Sequence, residues 1–171
     1  MANKAPSRAR LWRRRAIEAL LIVAVVAGIR AWQQRDVASG AAPMLSGALQ
    51  DGRRYTLPFH PAKPVLVHFW ASWCPVCRAE QGSIQSMAQD HPEVITVAMQ
   101  SGSAVEVAKH LDEQGLNFPT LNDADGRISA AWGVHAVPAS FIIDRDGQVR
   151  FVEIGYTTGP GLRLRLWWAG L

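Results

Sequence analysis

Cysteine is nearly absent from this chain: two in 171 residues, Cys74 and Cys77. A structural zinc site needs further ligands at suitable spacing. The five histidines, His60, His68, His91, His110 and His135, show no such pairing, so no metal is expected. A long hydrophobic run is also missing. The N-terminal apolar stretch, Ala16 to Ile29, is fourteen residues and is broken by Glu18. Basic surplus is missing from the part that should fold. Residues 36–171 carry ten Lys/Arg against thirteen Asp/Glu, a net −3, whereas residues 1–35 carry eight against one, a net +7. The formal charge of +4 therefore belongs to the N-terminal segment, and no nucleic acid is expected as a partner, since a binding surface would need that charge on the domain. There is no internal repeat and no low-complexity tract.

Both cysteines fall in one turn, Trp73-Cys74-Pro75-Val76-Cys77. The residues before it, Pro64-Val65-Leu66-Val67-His68-Phe69-Trp70, are β-branched and aromatic and predict a buried strand. After it, Cys77, Glu80, Ile84, Met87 and His91 recur at three and four residues, which predicts a helix over 75–90. A strand feeding a C-x-x-C pair at a helix start is the context of a thioredoxin-like redox motif. A structural disulfide across two residues would close a tiny loop and stabilise little, so redox chemistry is favoured.

At the N-terminus, Lys4, Arg8, Arg10, Arg13, Arg14 and Arg15 precede the apolar run, and Arg30 and Trp32 close it. A basic flank before an apolar stretch is a membrane-targeting pattern with the basic side in the cytoplasm. Fourteen helical residues cover about 21 Å against a hydrocarbon core of ~30 Å. Snorkelling arginines and an interfacial tryptophan would stretch that span. The expected organisation is a basic cytoplasmic segment (1–15), a transmembrane anchor or signal (16–32), a linker (33–43) and one domain (44–171). That implies a bacterial inner-membrane protein, single-pass, with its N-terminus cytoplasmic and its catalytic domain periplasmic, where disulfide chemistry operates.

Asp51-Gly52 and Asp146-Gly147 mark two hairpins. Between them, strand 65–70, helix 75–90, strand 94–99 and helix 103–114 form a parallel unit, the last helix opened by a Ser103/Glu106 capping box. A parallel unit followed by a hairpin gives a mixed α/β sheet flanked by helices.

The first cysteine sits where unpaired helical N–H groups and the dipole favour an anion, and Pro75 suits the first turn because its missing N–H is not needed there. Cys74 is thus the expected thiolate, with a pKa in the range ~3.5–7.5 of such sites, and Cys77 the resolving thiol. Glu80 lies on the Cys77–Ile84 helix face, pointing inward near the resolving thiol. His68 shares a strand face with Leu66 and Trp70, where a hydrogen-bonded core histidine and a proton shuttle remain equally open readings.

Phe69-Trp70-Ala71-Ser72-Trp73-Cys74-Pro75-Val76-Cys77-Arg78-Ala79-Glu80, with Gly133-Val134-His135-Ala136-Val137-Pro138-Ala139-Ser140-Phe141, resembles the membrane-anchored thioredoxin-like proteins of the TlpA/ResA/CcmG group. Gly155-Tyr156-Thr157-Thr158-Gly159 and the Trp-rich tail resemble the suppressor-of-copper-sensitivity D (ScsD) type within it. The resemblance implies a thioredoxin-like fold with an added N-terminal hairpin and a helical tail. It implies a protein thiol–disulfide oxidoreductase with no cofactor beyond the Cys74/Cys77 pair, supported by Trp73, Pro75 and a proton-handling Glu80. It places a cis-proline loop at Val137-Pro138, where the Val137 backbone could pair with an extended substrate strand. Expected partners are protein disulfides and a transmembrane thiol donor of the DsbD/ScsB kind, in cytochrome c maturation or copper tolerance. The chain departs from thioredoxins in having His68 where they bury an aspartate, and from many relatives in having Gly82 where they have proline. The competing function is copper delivery through Cys74, Cys77 and a nearby histidine.

Overall fold

The computed structural model describes residues 8–33, 37–91 and 93–171. The first seven residues of the expected cytoplasmic segment and residues 34–36 of the expected linker lie outside the described residues. The chain divides into two units, Met1–Val37 and Ala38–Leu171.

The first unit holds one helix, α1 (Arg8–Gln33), whose 26 residues include the basic flank as well as the apolar run. An i,i+4 ion pair links Arg14 to Glu18 at 3.2 Å. The expected membrane span is corrected here: among the described residues no helix is long and apolar enough to cross a membrane. The physical reason is the one visible in the run itself. Glu18 interrupts it, and arginines stand on both sides, so helical continuity adds charge rather than apolar length. The single-pass inner-membrane placement, with cytoplasmic N-terminus and periplasmic domain, is withdrawn with it.

The second unit begins with a short strand, β1 (Gly40–Ala41), paired antiparallel with β8 (Gln148–Ile154). Residues 38–43, read from sequence as linker, are therefore tied to the domain, and Ala38 N–H also reaches Trp132 O at 3.1 Å. Next come β2 (Ser46–Ala48) and β3 (Arg54–Thr56), an antiparallel pair turning at Gln50–Gly52. The main elements follow as β4 (Val65–Trp70), α2 (Pro75–Asp90), β5 (Val94–Met99), α3 (Ala104–Glu113), β6 (Thr120–Asp123), α4 (Arg127–Ala131), β7 (Ala139–Ile143), β8 and α5 (Gly159–Ala169). The six-stranded sheet has the order β1-β8-β7-β4-β5-β6. Strands β4, β5 and β6 are parallel, and β7 joins β4 antiparallel. This is the mixed sheet expected.

All six residues of β4 are buried, as befits a central strand covered on both faces. One core cluster joins Leu66 and Trp70 of β4 to Cys77, Ile84 and Met87 of α2 and Leu162 and Leu166 of α5. The disulfide thus stands at the end of the most buried strand. Ser103 caps α3 with the reciprocal Glu106 contact that its sequence predicts.

Candidate active site

β4 delivers the chain into the cysteine turn, and Cys74 is the N-cap of α2, with extended φ −90° and ψ 111°. Its Sγ accepts the Cys77 N–H at 3.1 Å, the place a serine or aspartate oxygen occupies in an ordinary cap. Pro75 starts the helix without losing a hydrogen bond. The two cysteines form a disulfide with Cα atoms 5.3 Å apart. Cys74 is 3% exposed and Cys77 1%, so burial hardly separates them. Position does, since only Cys74 Sγ receives the helix N–H and stands against the positive end of the dipole.

The Val137–Pro138 peptide is cis. Val137 O lies 3.6 Å from Cys74 Sγ. A disulfide sulfur has no proton to give, so this is a contact; a reduced Cys74 thiol would find an acceptor there. Pro138 O accepts the Gly155 N–H at 2.8 Å, which ties the β8–α5 loop to the proline loop. Trp73, Val76 and Tyr156 are exposed.

Glu80 is 1% exposed, and neither carboxylate oxygen has a hydrogen-bond partner. Desolvation by burial pushes its carboxyl up to about 7, a shift that the backbone N–H of Thr157 only partly opposes. His68 is buried as deeply but is differently served. Its Nδ1 lies 2.9 Å from Ser140 Oγ across the β4–β7 ladder, and burial pushes its imidazole down to about 3. That is the geometry of a neutral, hydrogen-bonded core histidine. His135 is exposed and lies in the loop before the cis proline.

Several supports are not legible in the motif. Trp73 Nε1 donates to Gln100 O at 3.1 Å, and Ser72 N–H to Ser101 Oγ at 3.0 Å. Gln100 has φ +44°, a left-handed conformation unusual for a side chain that is not glycine, and its N–H is held by Asp123 O. The β5–α3 loop therefore braces the approach to the cysteines. No pattern in residues 100–101 announces this, since it depends on which loop the parallel β4–β5 pairing brings alongside. Among the described residues no group of three or more His, Cys, Asp or Glu is placed to hold a metal ion.

Comparison with known proteins agrees with this geometry. A thioredoxin-like protein of Haemophilus influenzae is 33% identical over 107 residues, covering 63% of this chain and 64% of that one. The soluble secreted antigen MPT53 of Mycobacterium tuberculosis is 36% identical over 113 residues, covering 66% and 62%. The chain therefore spans a little under two thirds of the length of these curated relatives. Among solved structures, a secreted disulfide oxidoreductase of Mycobacterium tuberculosis superposes with a TM-score of 0.62 at 26% identity, covering 72% of this chain and 94% of that one. The two mycobacterial proteins are secreted ones. Residues 39–152 match the AhpC/TSA family, two thirds of the sequence, and the chain belongs to that family, on a thioredoxin-like fold.

Proposed function

We propose that this chain is a protein thiol–disulfide oxidoreductase that works through Cys74 and Cys77 in an oxidising compartment outside the cytoplasm. The observation that carries the reading is the cap: Cys74 Sγ accepts the Cys77 N–H at the start of α2, beside the Val137 carbonyl. The same hydrogen bond and dipole that hold the disulfide sulfur stabilise a thiolate once the pair is reduced.

In the reduced state the Cys74 thiolate attacks one sulfur of a substrate disulfide. A mixed disulfide forms and the first substrate sulfur leaves as a thiolate. Cys77 then gives its proton to Glu80, whose carboxyl, held near 7, is suited to accept it. The Cys77 thiolate attacks Cys74 Sγ, the mixed disulfide breaks, and the second substrate sulfur leaves. One substrate disulfide becomes two thiols, two enzyme thiols become one disulfide, and two electrons pass. Trp73 and Pro75 shape the turn, and the Val137–Pro138 edge offers a backbone carbonyl and amide to an extended substrate.

Running as a reductase, the protein needs a thiol donor, for which a membrane partner of the DsbD/ScsB kind fits. The ScsD-like tail and loop favour substrates in copper tolerance, and the likeness to the TlpA/ResA/CcmG group favours haem-site thiols of apocytochromes c. A Cys77→Ser variant should accumulate mixed disulfides on Cys74, and Cys74→Ser should accumulate none. Equal trapping by both variants would sink the assignment of nucleophile. A reduction potential near the ~−120 mV of strong oxidants would reverse the direction of electron flow.

A further inference from the structure

Helix α5 is apolar on two faces. Leu162 and Leu166 are buried in the core cluster, with Ala169 packed against it. On the opposite side Pro160, Leu164, Trp167 and Trp168, with Leu171 just past the helix, are exposed at the three- and four-residue spacing of one helix face. Trp167 is 62% exposed and Trp168 63%. The Trp168 ring meets Phe151 of β8 edge-on at 6.5 Å, which extends the strip onto the sheet. A second apolar face on a helix already buried along its first is ordinarily covered too, and a contiguous exposed patch of this kind marks an interaction surface.

We infer that this strip is the two-fold interface of a dimer of the chain. Charge at its borders favours a second copy as the occupant. Arg163 is bonded to Asp90 at 2.7 Å on one flank, and Arg165 to Glu153 at 2.6 Å on the other. Each border thus holds a cation beside an anion and carries no net charge, so a copy related by a two-fold axis meets no like-charge repulsion on either side, and an axis passing between the members of a pair would set cation against carboxylate. An anionic lipid surface would instead meet two carboxylates beside arginines that are already neutralised.

Area agrees. Two indoles with this exposure offer roughly 200–300 Å², taking ~150–250 Å² for a fully buried aromatic. The two leucines, Pro160 and the arginine stems bring the strip towards the ~600 Å² per partner of a small, exchanging interface rather than the ~800 Å² of a standard one. At its C-terminal end the strip stands away from the chemistry. A Cβ built on Gly170 would lie 3.5 Å from Pro64, just before β4, while the disulfide follows the other end of that strand, ~20 Å away.

Sedimentation equilibrium of the full chain between 1 and 200 µM tests this. The wild type should show a reversible monomer–dimer equilibrium with a micromolar dissociation constant. Leu164→Arg and Trp167→Lys, on exposed positions, should each weaken it at least tenfold, with unchanged reaction with a small aromatic disulfide and an unchanged thermal midpoint when measured below the dissociation constant, where the wild type is monomeric. The readout is the difference between the chain and its variants, so association through other surfaces drops out. A wild type that stays monomeric throughout, or a dimer indifferent to both substitutions, overturns the proposal. So does a monomeric wild type that binds phosphatidylcholine vesicles and loses that binding in the variants, which would assign the strip to lipid.

Discussion

Two titratable side chains are buried to the same degree in this domain, one on the helix behind the disulfide and one in the sheet beneath it, and their surroundings differ completely. His68 belongs to a polar row that strand register draws straight across the sheet: Glu153, Ser140, His68, Thr96 and Thr120 stand opposite one another on β8, β7, β4, β5 and β6. Ser140 Oγ serves the imidazole, Thr96 and Thr120 hydroxyls share a hydrogen bond of 2.8 Å, and Thr96 also takes the Trp70 indole N–H. Glu80 has nothing comparable, and both its oxygens are orphaned. Burial drives each group towards its neutral form, down to about 3 for the histidine and up to about 7 for the carboxyl. A served group held far from its working range is fixed in one state. An unserved carboxyl balanced near 7 can exchange a proton with a neighbour.

The sharpest test of that contrast is Glu80→Gln, an isosteric change that removes the charge. The carboxyl's folded value is raised from 4.5 to about 7, so the folded state holds the proton more tightly than the unfolded one. Stability contributed this way is full below pH 4.5 and is lost as pH rises to 7, by about 3 kcal/mol. Glu80→Gln should therefore be more stable than the wild type at pH 8 by roughly that amount, read from urea unfolding of the oxidised protein. Its resolution of the mixed disulfide should slow by ~100-fold at pH 7, within the usual range of a general base. A variant with an unchanged rate would leave Glu80 merely buried.

His68→Leu breaks the other side of the comparison. It leaves Ser140 Oγ without its partner and should cost ~1–3 kcal/mol, with exchange at pH 7 unaltered. The sign of its pH effect is opposite. Its folded value is lowered from 6.5 to about 3, so its contribution is intact above pH 6.5 and fades as pH falls towards 3, by about 2 kcal/mol at pH 5. Between pH 4.5 and 6.5 the two slopes oppose each other in the wild type. Each variant should uncover the remaining one: stability rising with pH in Glu80→Gln, falling with pH in His68→Leu. Parallel slopes in the two variants would undo the contrast.

How much of this was legible depends on whether the information is local. The helix over Pro75–Asp90, the strands flanking it and the Cys74 cap follow from spacing within one short stretch, and the structure has them there. The inward pointing of Glu80 was legible for the same reason, through helical periodicity. Its lack of partners was not, because that depends on what the β8–α5 loop fails to supply. His68 was left open between two roles because its partner is 72 residues away and is chosen by register. The strand at Gly40–Ala41 was missed because two small residues carry no alternation; it exists through pairing with β8. The apolar run misled about membrane crossing because its flanking charges count against a span as much as its core counts for one.

The smallest expected effect separates helix stability from proton handling. Gly82 lies on the exposed side of α2, two residues beyond Glu80, and a Cβ built there meets nothing within 4 Å. The groove it lines, with Ser83, Ser86, Gly159, Pro160 and Arg163, encloses about 260 Å³. Gly82→Ala should therefore remove glycine's backbone entropy from the helix without a clash, stabilising the domain by ~0.5–1 kcal/mol. Because the methyl faces away from the carboxyl, the fall in stability between pH 4.5 and 7 expected of His68→Leu should keep its size in the His68→Leu/Gly82→Ala double variant. If the added methyl flattened that slope, Glu80's proton would be governed by how firmly α2 is held, and the contrast between the two buried groups would be one of local mobility as well as of hydrogen bonding.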